Sequence, residues 1–353
     1  MKCRPTLACV LALAAASLAT PAAGAQCSVD LPPDFNGAVA FGAGELPMVR
    51  VQGTSDESGT SAITEATRFN LGSVSKMMTA VAIGQLVEQG RMAFDDPIGR
   101  HVAGLPDEIA VLRIDQLLSH TGGLPLFLHR DLQEPINDAP DATSLVPFVV
   151  ADADRETPGS FRYSNAGYVL LGAAIERVSG LTYIDYLARN ILPVAGIRPQ
   201  PVGWQAGDAE GVDPGQQAAA RAMSRLKAWP AGSMILSAPD LWRFGRALAQ
   251  GRLVRPETLA RMMREGIELR PATADRPASR YGLGMGVSGA GETVAIGHTG
   301  GAQGIDVSLR IYPATGSVIT VMANRSGSDS LNAPAVAKAI VAQTQGQACD
   351  GKR

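Results

Sequence analysis

Ser73 and Lys76 are the residues whose types and spacing point most directly to chemistry. They stand three apart in Phe69-Asn70-Leu71-Gly72-Ser73-Val74-Ser75-Lys76, at the start of a long apolar stretch, so on a helix their side chains share one face. A serine at a helix N-terminus lies among free N–H groups and the positive end of the dipole. That field stabilises a developing alkoxide and eases proton loss from a nearby lysine. A hydroxyl nucleophile with a lysine as proton acceptor is a known variant of the nucleophile–base pair. The same spacing recurs at Ser224-Arg225-Leu226-Lys227, so the pattern alone does not choose between them.

Three features favour the first pair. Lys2, Lys76, Lys227, Lys338 and Lys352 are the only lysines in a chain whose other basic side chains are arginines. Arginine cannot serve as a base near neutral pH, whereas a desolvated lysine can. Ser73 follows a glycine at a helix start, while Ser224 lies in an Ala/Arg-rich run; Ser75 points to another helix face. Companions then follow in order. Tyr163-Ser164-Asn165 offers a phenol to relay a proton and an amide for Lys76 or a substrate carbonyl. Gly297-His298-Thr299-Gly300-Gly301 ends a predicted strand, where glycines let a substrate backbone come close.

The elements that must hold these residues are legible in outline. Residues 35–41 and 46–52 read as strands joined by a Gly-rich turn, and the helix after Ser73 stops at Gly90. Helices are predicted over 114–119, 166–179, from Thr182 to about Leu192, from Ser237 to Gln250, and over 333–343. Strands are predicted over 282–287, 293–296, 307–312 and 318–323. Strands at both ends with helices between imply an α+β fold: an antiparallel sheet flanked by helices, with an inserted all-helical domain. The division expected is 26–85 with 265–353 for the sheet domain and 86–264 for the helical one. Residues 127–158 read as a variable wall of loops and short helices.

Bulk properties agree with an enzyme. Of 353 residues 46% are hydrophobic and 18% charged, and the net charge of −2 gives no basic footprint for nucleic acid. Residues 1–25 read as a secretory signal, with Lys2 and Arg4 before an apolar run and Ala23-Gly24-Ala25 at the cleavage point. No later stretch is apolar enough for an integral membrane segment, so export to the periplasm or medium is expected. Cys27 and Cys349 remain near the two ends, and an oxidising compartment would let them pair or leave them as free thiols. Four scattered histidines give no metal-ligand spacing, and no cofactor is implied. A G-x-S-x-G elbow is absent, which argues against an α/β-hydrolase.

The ordered set Ser73-x-x-Lys76, Tyr163-x-Asn165 and His298-Thr299-Gly300 resembles the serine β-lactamase and penicillin-binding-protein superfamily, on the class C β-lactamase, DD-carboxypeptidase and family VIII esterase side. Supporting stretches are His120-Thr121-Gly122-Gly123-Leu124-Pro125, Ala231-Gly232-Ser233-Met234 and Leu309-Arg310-Ile311-Tyr312-Pro313. The resemblance implies that Ser73 attacks an amide or ester carbonyl with help from Lys76 and Tyr163. It also implies an oxyanion hole from the N–H groups of Ser73 and Gly301, with Asn165, His298, Thr299 and Gly300 around the substrate. The substrate would be a β-lactam, a D-amino-acid peptide or an ester. A penicillin-binding sensor that acylates without turnover is the reading from another class.

Two departures bear on substrate. Most β-lactamases carry lysine where this chain has His298, and a histidine offers positive charge only when protonated. Activity on carboxylate-bearing substrates is therefore expected to weaken above neutral pH. Phe127 stands in a loop where class C enzymes tend to be polar, and is expected to line an apolar acyl site. His120 is read as a helix stop complementing the dipole, and His101 and His129 as surface residues.

Overall fold

The computed structural model describes residues 27–344 except 128–132, 200, 202, 274–276 and 328–331. The expected signal segment, His129 and Cys349 lie outside the described residues; Cys27 is buried and disulfide-bonded. In chain order the elements are β1 (Gly37–Gly42), β2 (Met48–Gln52), β3 (Arg68–Asn70), α1 (Lys76–Glu88), α2 (Asp107–Ala110), α3 (Ile114–Leu118), α4 (Gln133–Asp138) and α5 (Val146–Ala151). Next come α6 (Asn165–Ser179), α7 (Tyr183–Asn190), α8 (Gln217–Ser224), β4 (Ile235–Ser237), α9 (Ala238–Ala249) and α10 (Pro256–Arg264). The chain closes with β5 (Ile267–Arg270), β6 (Ser279–Tyr281), β7 (Gly286–Ser288), β8 (Ala295–Ala302), β9 (Ile305–Tyr312), β10 (Ser317–Ala323) and α11 (Ala333–Thr344).

Eight strands form one antiparallel sheet in the order β2-β1-β10-β9-β8-β7-β6-β5, so the two chain ends meet at the β1–β10 ladder. The alternation read from the sequence explains its two faces. Along β9, Val307, Leu309 and Ile311 join the main core with α1, α6 and α9. On the opposite face, Val39, Phe41, Ile319 and Val321 pack with Val336, Ala337 and Ile340 of α11 in a second cluster. This is an α+β arrangement, an antiparallel sheet flanked by helices, as the sequence pattern predicts.

The caps of α7 and α9 fall where the sequence starts those helices, and Ser164 caps α6 one residue earlier than the sequence reading begins it. The hydroxyls of Ser164, Thr182 and Ser237 accept from the N–H groups of Gly167, Asp185 and Asp240, opening α6, α7 and α9. The helix α9 lies in the stretch assigned by sequence to the helical domain, yet it packs on β1, β9 and β10. Its buried face, with Leu241, Trp242, Phe244 and Leu248, explains why. The short strands β3 and β4, which pair with each other, and β5 and β6, of three or four residues each, escape the sequence reading because they carry too little periodicity.

Helix α1 is apolar on every side and buried for nearly its whole length, as expected of a helix inside a core. A loop, residues 229–234, lies across its start and is wedged against α6. A Cβ added at Gly172 of α6 would sit 2.1 Å from Cγ of Pro230. Alanine in a helix interior gains at most about 1 kcal/mol over glycine, whereas overpacking costs about 1–3 kcal/mol. We therefore expect Gly172→Ala to lower the Tm by a few degrees despite its better helix propensity, measured by calorimetry on the purified chain.

Candidate active site

Ser73 lies in a 3-10 turn, Gly72–Ser75, that runs directly into α1. The turn is tied on several sides. The Leu71 N–H donates to the Met234 carbonyl at 2.8 Å, and the Asn70 side chain accepts from the Gly72 N–H while donating to the carbonyls of Met223 and Ser224. Ser75 does not face the cleft: its hydroxyl donates to the Gly72 carbonyl and accepts from the Met234 N–H. Strand β8 closes the other side. A Cβ on Gly300 would lie 2.1 Å from the Leu71 carbonyl oxygen and 3.1 Å from the Ser73 nitrogen, so only glycine allows β8 this close.

The Lys76 Nζ is fully buried and lies 3.1 Å from Ser73 Oγ, 2.6 Å from Asn165 Oδ1 and 2.6 Å from the Ala231 carbonyl oxygen. The last two atoms can only accept. A neutral amine has two N–H groups and one lone pair, so donating to both leaves the lone pair facing the serine hydroxyl. Burial pushes the Lys76 pKa well below the usual lysine range, because no carboxylate compensates the charged form. The Tyr163 phenol is hydrogen-bonded to Ser73, and burial, partly offset by that bond, lifts its pKa to about 12. At neutral pH Tyr163 is therefore a neutral hydroxyl suited to passing a proton, and Lys76 is the group able to take one.

The rival pair is not a site. The Ser224 hydroxyl accepts from the Gly211 N–H and donates to the Arg221 carbonyl, while the Lys227 ammonium donates to the Ala139 carbonyl.

His298, Thr299, Gly300 and Gly301 all lie within β8, whose ladder with β7 covers residues 295–297 only. The backbone edge from His298 onward therefore lies beyond that pairing, beside Tyr163. His298 corrects an expectation. Its Nδ1 lies 2.6 Å from the Thr299 carbonyl oxygen and its Nε2 2.8 Å from the Tyr281 hydroxyl. Burial first, and the neighbouring Lys76 second, push its pKa down to about 4. The imidazole stays neutral through the physiological range, so the expected weakening above neutral pH has no titrating group behind it.

Phe127 is also corrected. It is 1% exposed and belongs to the core, with φ at +51°, while Leu126 beside it is 51% exposed. The backbone turns over at this position and sends the aromatic inward, a step that residue type cannot reveal. The Leu126 carbonyl accepts from the Asn165 N–H, which ties the loop to the start of α6.

His120 follows α3 with φ at +60°, consistent with a helix stop, but its ring is buried and burial drives its pKa well below normal, so it is no imidazolium on the dipole. The ring lies under Tyr163, centroids 4.3 Å apart, and its Nδ1 accepts from the Ser164 N–H. His101 is buried and hydrogen-bonded to Asp96 rather than at the surface. Tyr281 and the Ala231 carbonyl escape sequence reasoning: one is a lone tyrosine before a glycine turn, the other a backbone atom.

Comparison with known proteins follows the same lines. The family profile described as Beta-lactamase matches residues 36–343, nearly all of the described chain. The chain belongs to the beta-lactamase family. Among curated relatives it is 26% identical over 286 residues to penicillin-binding protein 4 of Amycolatopsis lactamdurans, covering 74% of each chain. It is 29% identical over 267 residues to esterase EstB of Burkholderia gladioli, covering 64% of this chain and 68% of that one. A D-stereospecific amidohydrolase from Streptomyces sp. superposes with a TM-score of 0.68 at 25% identity, over 89% of this family member and 95% of that chain. Two penicillin-binding-protein relatives from Bacillus subtilis are longer, and the chain spans 54% and 29% of their lengths.

A base that works unprotonated gives a defined pH profile. As pH falls through the depressed Lys76 pKa the amine gains a proton and kcat/KM falls; above it kcat/KM levels off. Lys76→Arg places a permanent cation there that cannot accept a proton, and we expect a loss of about 10²–10⁴-fold. Tyr163→Phe should lower the plateau yet keep the acidic limb. Loss of that limb in Tyr163→Phe would assign the base to the phenol instead.

Proposed function

We propose that the chain is an exported hydrolase that cleaves an amide or ester through an acyl-Ser73 intermediate. The observation that carries the reading is the Lys76 amine, buried and held by two obligate acceptors with its third position on Ser73 Oγ. As the Ser73 oxygen bonds to the substrate carbonyl carbon, its proton passes to the Lys76 nitrogen. The carbonyl oxygen takes up negative charge against the N–H groups of Ser73 and Gly301, a contribution of about 3–4 kcal/mol for each well-placed donor. The C–N or C–O bond then breaks, and the leaving group receives the proton through the Tyr163 hydroxyl. Water repeats the sequence on the acyl-enzyme and restores Ser73.

The similarities and the shape of the cleft support two readings of the substrate class. A β-lactamase-like or D-peptidase-like amide hydrolase fits the penicillin-binding and D-stereospecific relatives. A carboxylesterase is the second reading, favoured by the similarity to EstB. Thr299 and Gly301 are exposed along β8, and a Cβ on Gly301 would meet nothing within 4 Å, which leaves space for a substrate backbone. Export rests on the signal-like residues 1–25 and on the disulfide-bonded Cys27. Among the described residues no helix is long and apolar enough to cross a membrane.

A chromogenic cephalosporin, a D-amino-acid p-nitroanilide and a p-nitrophenyl ester, each assayed with the native chain and Ser73→Ala, test the proposal. At least one should be turned over, with a loss of at least about a thousandfold in Ser73→Ala. Intact-mass analysis should show an acyl group on Ser73 during turnover. A lasting adduct without turnover would favour the binding sensor, and turnover surviving in Ser73→Ala would overturn the assignment.

A further inference from the structure

His298 carries two hydrogen bonds whose polarity can be assigned from chemistry alone. The Thr299 carbonyl can only accept, so the Nδ1 lying 2.6 Å away bears the proton. The Nε2 lone pair then needs a donor, and the Tyr281 hydroxyl stands 2.8 Å from it. Tyr281 is itself 6% exposed, and burial holds its pKa well above the normal phenol range, so it keeps the proton it donates.

Beyond the Thr299 carbonyl, the surroundings give little support to an imidazolium. From α1 the ring faces the Lys76 amine, and from the turn before α6 it faces Tyr163, with centroids 6.3 Å apart. The neighbour from β6 is Tyr281, which itself lies against His120 from the end of α3 and interacts with Tyr168 of α6. The groove shared by His298, Tyr163 and Tyr281 is also lined by Arg270, Arg280 and Arg310, and by no Asp or Glu among the described residues. Arg310 pairs with Gly297, and strand alternation puts its side chain on the opposite face of the sheet from His298.

Resting on the hydrolase reading above, we propose that Tyr281 is a specificity-determining positioning residue: it holds His298 as the neutral Nδ1–H tautomer, so the cleft takes an uncharged ester or amide where an imidazolium would have anchored a carboxylate. A donor to the lone pair stabilises the neutral ring, and removing that donor raises the basicity of Nε2. The tyrosine thus acts through the histidine and need not touch the substrate.

The test has a spectroscopic arm and a kinetic arm. In the full chain, imidazole ¹⁵N shifts of His298, assigned with His298→Gln, should report the Nδ1–H tautomer with no titration between about pH 5.5 and 8.5. Followed down to acid pH in both chains, the midpoint should rise by about one pH unit or more in Tyr281→Phe. Kinetically, kcat/KM is compared for an aryl ester and the same ester bearing a ring carboxylate on the leaving group. The charged-to-neutral ratio should stay flat with pH in the native chain and fall with rising pH in Tyr281→Phe. A native His298 titrating near 6.5, or a native ratio falling about tenfold per pH unit above that value, would overturn the proposal. A Tyr281→Phe chain whose His298 titration is unmoved would overturn it too. If neither ester is turned over, the esterase reading fails, and the NMR arm still decides the role of Tyr281.

Discussion

A lysine buried without a counter-ion organises this molecule. Taking an ammonium out of water with no carboxylate beside it costs several kcal/mol, and the group answers by giving up its proton. Lys76 does so among three partners from three parts of the chain: Ser73 one turn earlier, Asn165 at the start of α6, and the Ala231 carbonyl in a loop more than 150 residues away. The neutral amine is tolerable only while both acceptors stay in place. The packing of α1, α6 and the 229–234 loop is therefore the same requirement as the chemistry.

That requirement explains why the contacts near Ser73 are so close. Gly300 allows β8 to touch the serine turn, Gly172 admits Pro230 into the surface of α6, and the Thr79 hydroxyl donates to the Pro230 carbonyl from within α1. Each contact fixes one of the segments that hold Lys76. The sheet supplies the strand edge, the helical segments supply Tyr163 and Asn165, and α1 lies in the core between them. Loops carry the polar groups, while the buried elements set their distances.

Much of this was readable from residue types. Ser73 and Lys76 stand at helical spacing, Tyr163 and Asn165 stand just before a helix start, and the alternating strands β9 and β10 are long enough to show their period. What escaped was decided by contacts far apart in sequence or by a single backbone angle. One residue step and a positive φ exchange Phe127 and Leu126 between core and surface. The state of His298 depends on Tyr281, seventeen residues earlier and two strands away in the sheet. The Ala231 carbonyl is invisible by nature, since every residue has one. The sequence could name the chemistry, but not the partners that set each group's charge.

The charge state of the cleft closes the argument. His120, His298 and Lys76 are each held below their normal pKa, and burial is the first cause for all three. For Lys76 burial is the only resolved cause, so no neighbouring cation is needed to keep it deprotonated. Superfamily members with a lysine at the His298 position would add a like charge beside the base, favouring its neutral form and offering an anchor to a carboxylate at once. Here the two tasks separate. Desolvation alone prepares the base, which leaves position 298 free to be neutral, and that neutrality passes the choice of substrate to shape and hydrogen bonding along β8.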